Sequence, residues 1–236
     1  MKNEASPTPA RVLIADDHSL VREGMRAMLA REPGLEVVGE AENGRQALEM
    51  CRELRPDLVL MDVRMPKLDG MAATQAIKEE YPSISVLIVT THESPEYLMD
   101  AIRAGAAGYV LKDSTKQELL DAVRRVLDGE SPLNQELAMQ LLQRLTDEDR
   151  RQTERPVESG KKRREERLAE PLTDREVEVL RLLVLGKTNR EVAQSLRLSL
   201  STIKSHVQRL ITKLGVSDRT QAAVRAVELG LLAEQE

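Results

Sequence analysis

The sequence predicts a doubly wound α/β domain with a five-stranded parallel sheet, followed by a small all-α domain of four helices. Through residues 10–130, short apolar runs rich in β-branched residues alternate with helical patterns, as expected for strands covered on both faces. Five successive β-then-α units join parallel strands through right-handed crossovers. From Leu172 onward the patterns are helical only. The 236 residues therefore suffice for two ordinary domains.

The elements of the first domain follow in alternation. Strands are predicted at 11–15, 35–40, 57–61, 84–90 and 108–111. Helices are predicted at 19–31, 44–54, 70–80, 95–104 and 115–128. The last helix begins with Ser114 and Gln117 spaced as a capping box, in which both side chains satisfy free backbone amides.

The helices of the second domain are predicted from the residues at which they begin. Thr173 with Glu176, and Thr188 with Glu191, have the spacing of capping boxes. Two further starts are expected at Ser199 and Asp218. Four short helices with brief turns predict a compact helical module over residues 171–236.

Composition separates the two domains and limits their partners. Residues 1–143 carry 16 Lys and Arg against 24 Asp and Glu, whereas residues 171–236 carry 10 against 8, so an anionic partner is expected at the C-terminal end. We predict a tail at 1–9 and a polar linker, with a possible helix, at 131–170. The single cysteine, the absence of a signal peptide and the absence of a long apolar run predict a cytoplasmic protein without a membrane segment.

Polar side chains follow the predicted strands at the edge where doubly wound sheets bind ligands. Asp16 and Asp17 follow the first strand, Asp62 the third and Lys112 the fifth, while Thr90 ends the fourth. Adjacent strands lie about 4.8 Å apart, so these side chains can converge. Clustered carboxylates without a Cys or His cluster favour Mg²⁺ or Mn²⁺, and the lysine and threonine suit a phosphoryl group on a carboxylate. The alternative is that each acid merely ends a strand or caps a helix.

Four segments around these residues resemble the receiver domains of response regulators: IADDHSLVREGM (14–25), VLMDVRMPKLDG (59–70), LIVTTH (87–92) and GYVLKDS (108–114). The resemblance implies a flavodoxin-like receiver domain over 10–130, with Asp62 as the phospho-acceptor. It also implies that Mg²⁺, or Mn²⁺ in its place, binds to Asp16, Asp17, Asp62 and the backbone carbonyl of Arg64, with Asp16 acting largely through water. Lys112 would pair with the phosphoryl oxygens, and Thr90 with Tyr109 would report the presence of the group.

The third helix of the second domain, near 199–214, presents two different faces. Its apolar stripe comprises Ile203, Val207, Leu210, Ile211 and Leu214. It contains no acid, and its opposite face carries Lys204, Ser205 and Gln208. A short helix precedes it, so the pair has the geometry of a helix-turn-helix suited to a major groove. Periodicity alone leaves a plain helical bundle or a dimerisation module open.

Residues 172–222 resemble the LuxR-type helix-turn-helix of NarL/FixJ-type response regulators along their whole length. The resemblance implies base contacts from Lys204, Ser205 and Gln208 and phosphate contacts from Thr202, Lys213 and Arg219. It also implies a dimer, with 218–229 as the dimer helix. Many relatives carry lysine where this chain has Gln208, and glutamine suits adenine whereas lysine suits guanine.

The sequence therefore predicts a two-component transcription factor. A sensor histidine kinase would phosphorylate Asp62, and the active homodimer would bind promoter DNA, with RNA polymerase as a further partner. No enzymatic activity is expected beyond slow self-phosphorylation and dephosphorylation. One alternative is a constitutive DNA-binding regulator whose receiver only dimerises. Another is a haloacid-dehalogenase-like phosphatase, which usually needs a second aspartate where this chain has Arg64.

Overall fold

The computed structural model describes residues 8–91, 94–130 and 170–231. The chain divides into two compact units, Met1–Asp128 and Gly129–Glu236, which we call the N-terminal and C-terminal units. Nearly all of the linker proposed at 131–170, and most of the tail proposed at 1–9, lie outside the described residues. In the described ranges, no helix combines the length and apolar character needed to cross a membrane.

The N-terminal unit is built on the parallel sheet that the sequence predicts. Its strands are β1 (Ala10–Ala15), β2 (Leu35–Ala41), β3 (Leu58–Met61), β4 (Ser85–Thr90) and β5 (Gly108–Leu111), in the order β2-β1-β3-β4-β5. The chain leaves β1 to form β2 on one side and returns to form β3 on the other. The strand order therefore reverses between β1 and β3, and ligands of such sheets bind at the carboxyl ends of these strands.

Five helices cover both faces of this sheet, which confirms the doubly wound fold. They are α1 (Ser19–Leu29), α2 (Gly44–Leu54), α3 (Gly70–Glu80), α4 (Pro95–Arg103) and α5 (Lys116–Leu127). Alternate strand residues point to opposite faces: Val12 packs in one core with α1 and α5, whereas Leu13 packs in the other with α2 and α3. Cys51 of α2 is fully buried in the second core, and burial raises the pKa of its thiol to about 12, so it is an unreactive apolar filler.

The capping box predicted at the start of α5 was wrong by one residue. Thr115, not Ser114, is the N-cap: its hydroxyl accepts a hydrogen bond from the amide of Glu118, and the Glu118 carboxylate accepts one from the Thr115 amide at 2.7 Å. The amide of Ser114 instead donates to the carbonyl of Leu111 and closes the turn after β5. A carboxylate is also a stronger acceptor for an amide than the side-chain amide of Gln117.

The C-terminal unit contains four described helices that begin where the sequence predicts. They are α6 (Asp174–Val184), α7 (Asn189–Leu196), α8 (Leu200–Leu214) and α9 (Arg219–Glu228). Both predicted capping boxes are present at the starts of α6 and α7, and Ser199 and Asp218 cap α8 and α9. The buried stripe of α8 packs with α6, α7 and α9 in one apolar core. This packing fixes α7 and α8 as a helix-turn-helix.

Gly70 holds the loop after β3 against the end of that strand. Its amide donates to the carbonyl of Val63 at 2.8 Å. A Cβ on Gly70 would overlap the carbonyl oxygen of Asp62, so this close approach excludes any side chain. The loop that follows Asp62 therefore depends on glycine at position 70.

We expect Gly70→Ala to lower the free energy of unfolding of the N-terminal unit by about 1–3 kcal/mol, because the backbone around Asp62 must shift. Gly24→Ala is the matched control: it lies inside α1, where an added Cβ meets no atom within 4 Å. This control should stabilise the unit by about 0.4–1 kcal/mol. Urea unfolding followed by circular dichroism measures both changes, and equal effects of the two substitutions would contradict the close approach.

Candidate functional site

Charged side chains meet at the carboxyl ends of β1, β3 and β5. Asp16 follows β1 and is fully buried, and Asp62 follows β3 and is 5% exposed. The ammonium of Lys112, which follows β5, lies 2.6 Å from Oδ2 of Asp16 and 3.1 Å from Oδ1 of Asp62. The structure thus brings together three of the residues that the sequence places at separate strand ends. We call these three residues, together with the neighbouring Asp17, the acidic pocket.

The sheet itself holds these residues in register. The amide of Asp62 donates to the carbonyl of Ala15 at 2.8 Å, and the amide of Lys112 donates to that of Thr90 at 2.7 Å. The parallel hydrogen-bond ladder therefore continues one residue past each strand. Side chains on neighbouring strands at this edge have little freedom to move apart.

Burial and neighbouring charges control protonation in the acidic pocket. Burial raises the pKa of Asp62; the ammonium of Lys112 opposes this shift, and the carboxylate of Asp16 adds to it. Burial lowers the pKa of Lys112, but its short ionic contacts with the carboxylates of Asp16 and Asp62 outweigh that effect and leave the pKa raised. Lys112 is therefore a stable cation beside two buried carboxylates.

The pocket also offers a set of ligand atoms for a metal ion. Asp16, Asp17, His18 and Asp62 each present one such atom, all within 4.8 Å of one another. The backbone amide of His18 donates to Oδ1 of Asp16, and its ring Nδ1 lies 2.7 Å from Asp17. Among the described residues, buried Oδ2 of Asp16 accepts no well-oriented hydrogen bond and has an ionic contact with Lys112. The carboxylates of Asp16, Asp17 and Asp62 offer oxygen ligands, which suit a hard divalent cation such as Mg²⁺, and Oδ2 of Asp16 is one of these oxygens.

Arg64 lies beside the pocket, in the loop after β3. It lines a surface cavity of about 550 Å³ together with Asp17 and Tyr97. Its guanidinium donates to the hydroxyl of Tyr97, on α4, at 3.3 Å. The role predicted for its backbone carbonyl as a metal ligand stays a prediction.

Thr90 and Tyr109 lie on one face of neighbouring strands. Tyr109 pairs in register with Ile88, two residues before Thr90, so the three side chains project to the same side of the sheet. Thr90 is 1% exposed, whereas Tyr109 is half-buried against the core on that side. Thr90 and Tyr109 thus share one face of the sheet, and the switch role predicted for them stays a prediction.

Sequence patterns did not identify Arg22 as part of this site. Its Nη1 donates to the backbone carbonyl of Asp16 at 2.7 Å, and the residue is 8% exposed. The available signal was its position in α1: Arg22, Met25 and Leu29 form the buried stripe of that helix. A charged residue on such a stripe indicates a buried polar contact.

The face of α8 opposite its buried stripe is the candidate DNA interface. Lys204, Ser205 and Gln208 are exposed there, as the sequence predicts. Thr202 is half-buried in the first turn, where its hydroxyl lies 2.7 Å from that of Ser199. The described helix thus presents a basic, acid-free surface of the kind that enters a major groove.

Lys213 and Arg219 are held by contacts within the C-terminal unit. The ammonium of Lys213 lies 2.9 Å from the carboxylate of Glu176, which is 2% exposed. Arg219 is 4% exposed and donates to Asn189 Oδ1 and to the carbonyl of Lys187. Their phosphate contacts stay predictions.

Two protein families match the chain. Residues 12–124 match the family described as response regulator receiver domain, and residues 170–226 match bacterial regulatory proteins of the luxR family. Among curated relatives, the transcriptional regulatory protein DegU of Brevibacillus brevis is 36% identical over 98% of both chains. The response regulator protein VraR of Staphylococcus aureus is 37% identical over 94% of this chain and 98% of its own.

Solved structures show the same similarity. The signal receiver domain of the putative response regulator NarL from Mycobacterium tuberculosis is 39% identical, with a TM-score of 0.51, and aligns over 52% of this chain and 100% of its own. A structure of the Salmonella typhimurium RcsB response regulator is 26% identical, with a TM-score of 0.53, and aligns over 91% of this chain and 98% of its own.

Glu176 gives the C-terminal unit a pH-dependent stability. Burial raises the pKa of Glu176, but hydrogen bonds from the Thr173 amide and the Lys213 ammonium outweigh it, so the pKa is lowered from 4.5. The stabilisation is therefore fully present above the pKa of the unfolded chain and is lost as the pH falls through the folded pKa. We expect Glu176→Gln to destabilise the unit at pH 7 and to weaken its loss of stability below about pH 4.5.

Glu191→Gln is the matched control, because Glu191 has the same place in the capping box of α7 but is exposed. Hydrogen exchange of α6–α9 amides in the full chain, measured against pH, follows the stability of this unit. Equal acid sensitivity of the wild type and Glu176→Gln would contradict the assignment.

Proposed function

Because the chain belongs to the two-component response regulators with a receiver domain and a LuxR-type DNA-binding domain, we propose that a sensor histidine kinase phosphorylates Asp62 and thereby switches DNA binding and transcription. The observation that carries the proposal is the acidic pocket. A buried aspartate there has a raised pKa, a lysine lies 3.1 Å from its oxygen and further carboxylates surround it.

The proposed chemistry is a phosphoryl transfer to Asp62. A carboxylate oxygen attacks the phosphorus of the kinase phosphohistidine, forming a P–O bond as the P–N bond breaks. Lys112 pairs with a phosphoryl oxygen and stabilises the charge that develops on the group. Mg²⁺, or Mn²⁺ in its place, would be held by Asp17, Asp62 and the Arg64 carbonyl, with Asp16 acting largely through water, and would supply further charge neutralisation.

The proposed switch begins at Thr90. The phosphoryl group adds negative charge and acceptor oxygens, which draw the Thr90 hydroxyl toward it. Tyr109, on the same face of the sheet, then moves inward and alters the surface near α4 and β5. The altered surface promotes a homodimer that binds promoter DNA in the cytoplasm and acts there with RNA polymerase.

The proposed DNA contacts lie on α8 and around it. Lys204, Ser205 and Gln208 contact base edges, and their exposure on the face opposite the core supports this. The phosphate contacts are assigned to Thr202, Lys213 and Arg219. The alternative function, a constitutive regulator with the receiver used only for dimerisation, differs in one measurable property: its DNA affinity does not depend on Asp62.

We expect Asp62→Asn to abolish labelling by ³²P-acetyl phosphate in the presence of Mg²⁺, because the acceptor oxygen is lost. Asp113→Asn is the matched control: this exposed carboxylate is adjacent to Lys112 in the chain and should leave labelling unchanged. Phosphorylation should raise the DNA affinity of the wild type and not that of Asp62→Asn. Persistent labelling of Asp62→Asn identifies another acceptor, and equal wild-type affinities with and without phosphorylation support the constitutive alternative.

We expect Gln208→Lys to shift the preferred base at one position of the DNA site from adenine toward guanine, since each bidentate pair discriminates by about 1–3 kcal/mol. Selection from a random DNA library by the phosphorylated full chain measures the preference. Lys204→Ala should weaken binding, whereas Arg181→Ala, which removes an exposed charge from α6, should change it little. Unchanged base preference in Gln208→Lys would remove Gln208 from the base-reading set.

A further inference from the structure

Arg22 is a charged residue on the buried stripe of α1. Burial of a guanidinium is unfavourable unless acceptors and an opposite charge compensate it. Nη1 donates to the backbone carbonyl of Asp16 at 2.7 Å, and Nη2 donates to the carboxylate of Glu42 at 3.1 Å. Nε lies 3.7 Å from the carboxylate of Glu40, at the end of β2. Arg22 therefore connects α1, the end of β2 and the acidic pocket.

The Asp16 carbonyl that Arg22 binds belongs to the peptide bond between Asp16 and Asp17. The amide of Asp16 donates to Ala41 at 3.1 Å, and Oδ1 of Asp16 accepts from the amide of His18. Backbone contacts thus hold Asp16 on one side, and Arg22 holds the peptide that leads to Asp17. Rotation of this peptide would turn Asp17, whose side chain is 33% exposed, away from Asp16 and Asp62.

We propose that Arg22 is a positioning residue for the divalent-cation site: its bond to the Asp16 carbonyl keeps the Asp17 carboxylate directed toward those of Asp16 and Asp62. The inference rests on the cation site of the proposed function and assigns a residue that does not touch the ion. Hydrogen bonds that orient ligands from outside a metal site raise its affinity by about 10–100-fold.

The charge of Arg22 acts in the opposite direction, because a cation near the site repels Mg²⁺. Glu40 and Glu42 offset part of that repulsion, since both carboxylates lie within 4 Å of the Arg22 guanidinium. We therefore expect the orienting effect of the Arg22 bond to the Asp16 carbonyl to outweigh the repulsion between the Arg22 charge and Mg²⁺. Removal of Arg22 should weaken the binding of Mg²⁺ rather than strengthen it.

Calorimetric titration of the full chain with MgCl₂ at constant ionic strength tests the inference. Arg22→Met should lower Mg²⁺ affinity about tenfold. Arg22→Lys retains the charge and can donate to fewer of the same acceptors, so its Mg²⁺ affinity should lie between those of Arg22→Met and the wild type. Arg26→Met is the matched control: it removes an arginine of α1 that pairs with Glu40 at 2.9 Å, and it should leave the affinity unchanged.

A second readout separates positioning from loss of structure. In labelling by acetyl phosphate, Arg22→Met should raise the Mg²⁺ concentration that gives half the maximal rate, with a smaller effect on the rate at saturating Mg²⁺. If Arg22→Met does not fold by circular dichroism, Arg22→Lys carries the same comparison. A folded Arg22 variant with wild-type or higher Mg²⁺ affinity overturns the inference. Failure of the wild type itself to bind Mg²⁺ overturns the cation site of the proposed function.

Discussion

The ion pair of Lys112 with two buried carboxylates is the interaction on which the N-terminal unit depends most. Asp16 and Asp62 are almost completely buried, and two ionised carboxylates that lie close together in a medium of low dielectric constant repel each other strongly. The Lys112 ammonium, which lies 2.6 Å from Asp16 and 3.1 Å from Asp62, offsets the repulsion between the two carboxylates. This requires the ends of β1, β3 and β5 to reach the same edge of the sheet. The strand order is therefore what allows the Lys112 ammonium to contact both carboxylates.

The C-terminal unit uses buried polar contacts for a different purpose. Glu176 receives the ammonium of Lys213, and Arg219 donates to Asn189, so α8 and α9 are each bonded to a neighbouring helix. These bonds add directional contacts to the apolar core in which the buried stripe of α8 packs. The buried stripe determines which face of α8 is presented to solvent. The exposure of Lys204 and Gln208 follows from that fixed orientation.

The sequence predicted those parts of the structure that depend on local periodicity, and missed those that depend on contacts between distant elements. Strand ends could be located because apolar runs stop at polar residues, and parallel topology then brings Asp16, Asp62 and Lys112 together. The contact of Arg22 with Glu42 joins α1 to the end of β2, and no local pattern encodes it. At α5 two capping patterns overlap by one residue, and a turn bond from Ser114 to Leu111 decides between them.

The charge balance of the acidic pocket shows what the proposed phosphorylation of Asp62 would change. Asp16, Asp17 and Asp62 contribute three negative charges when ionised, and Lys112 contributes one positive charge. A bound divalent cation brings the sum to zero. Replacement of the Asp62 carboxylate by its phosphoryl derivative adds about one further negative charge, which the pocket does not already balance. The Thr90 hydroxyl, at the end of β4, is buried on the face that also carries Tyr109. In the proposed switch, a movement of Thr90 toward the new charge would act on Tyr109 through the face of the sheet that both side chains share.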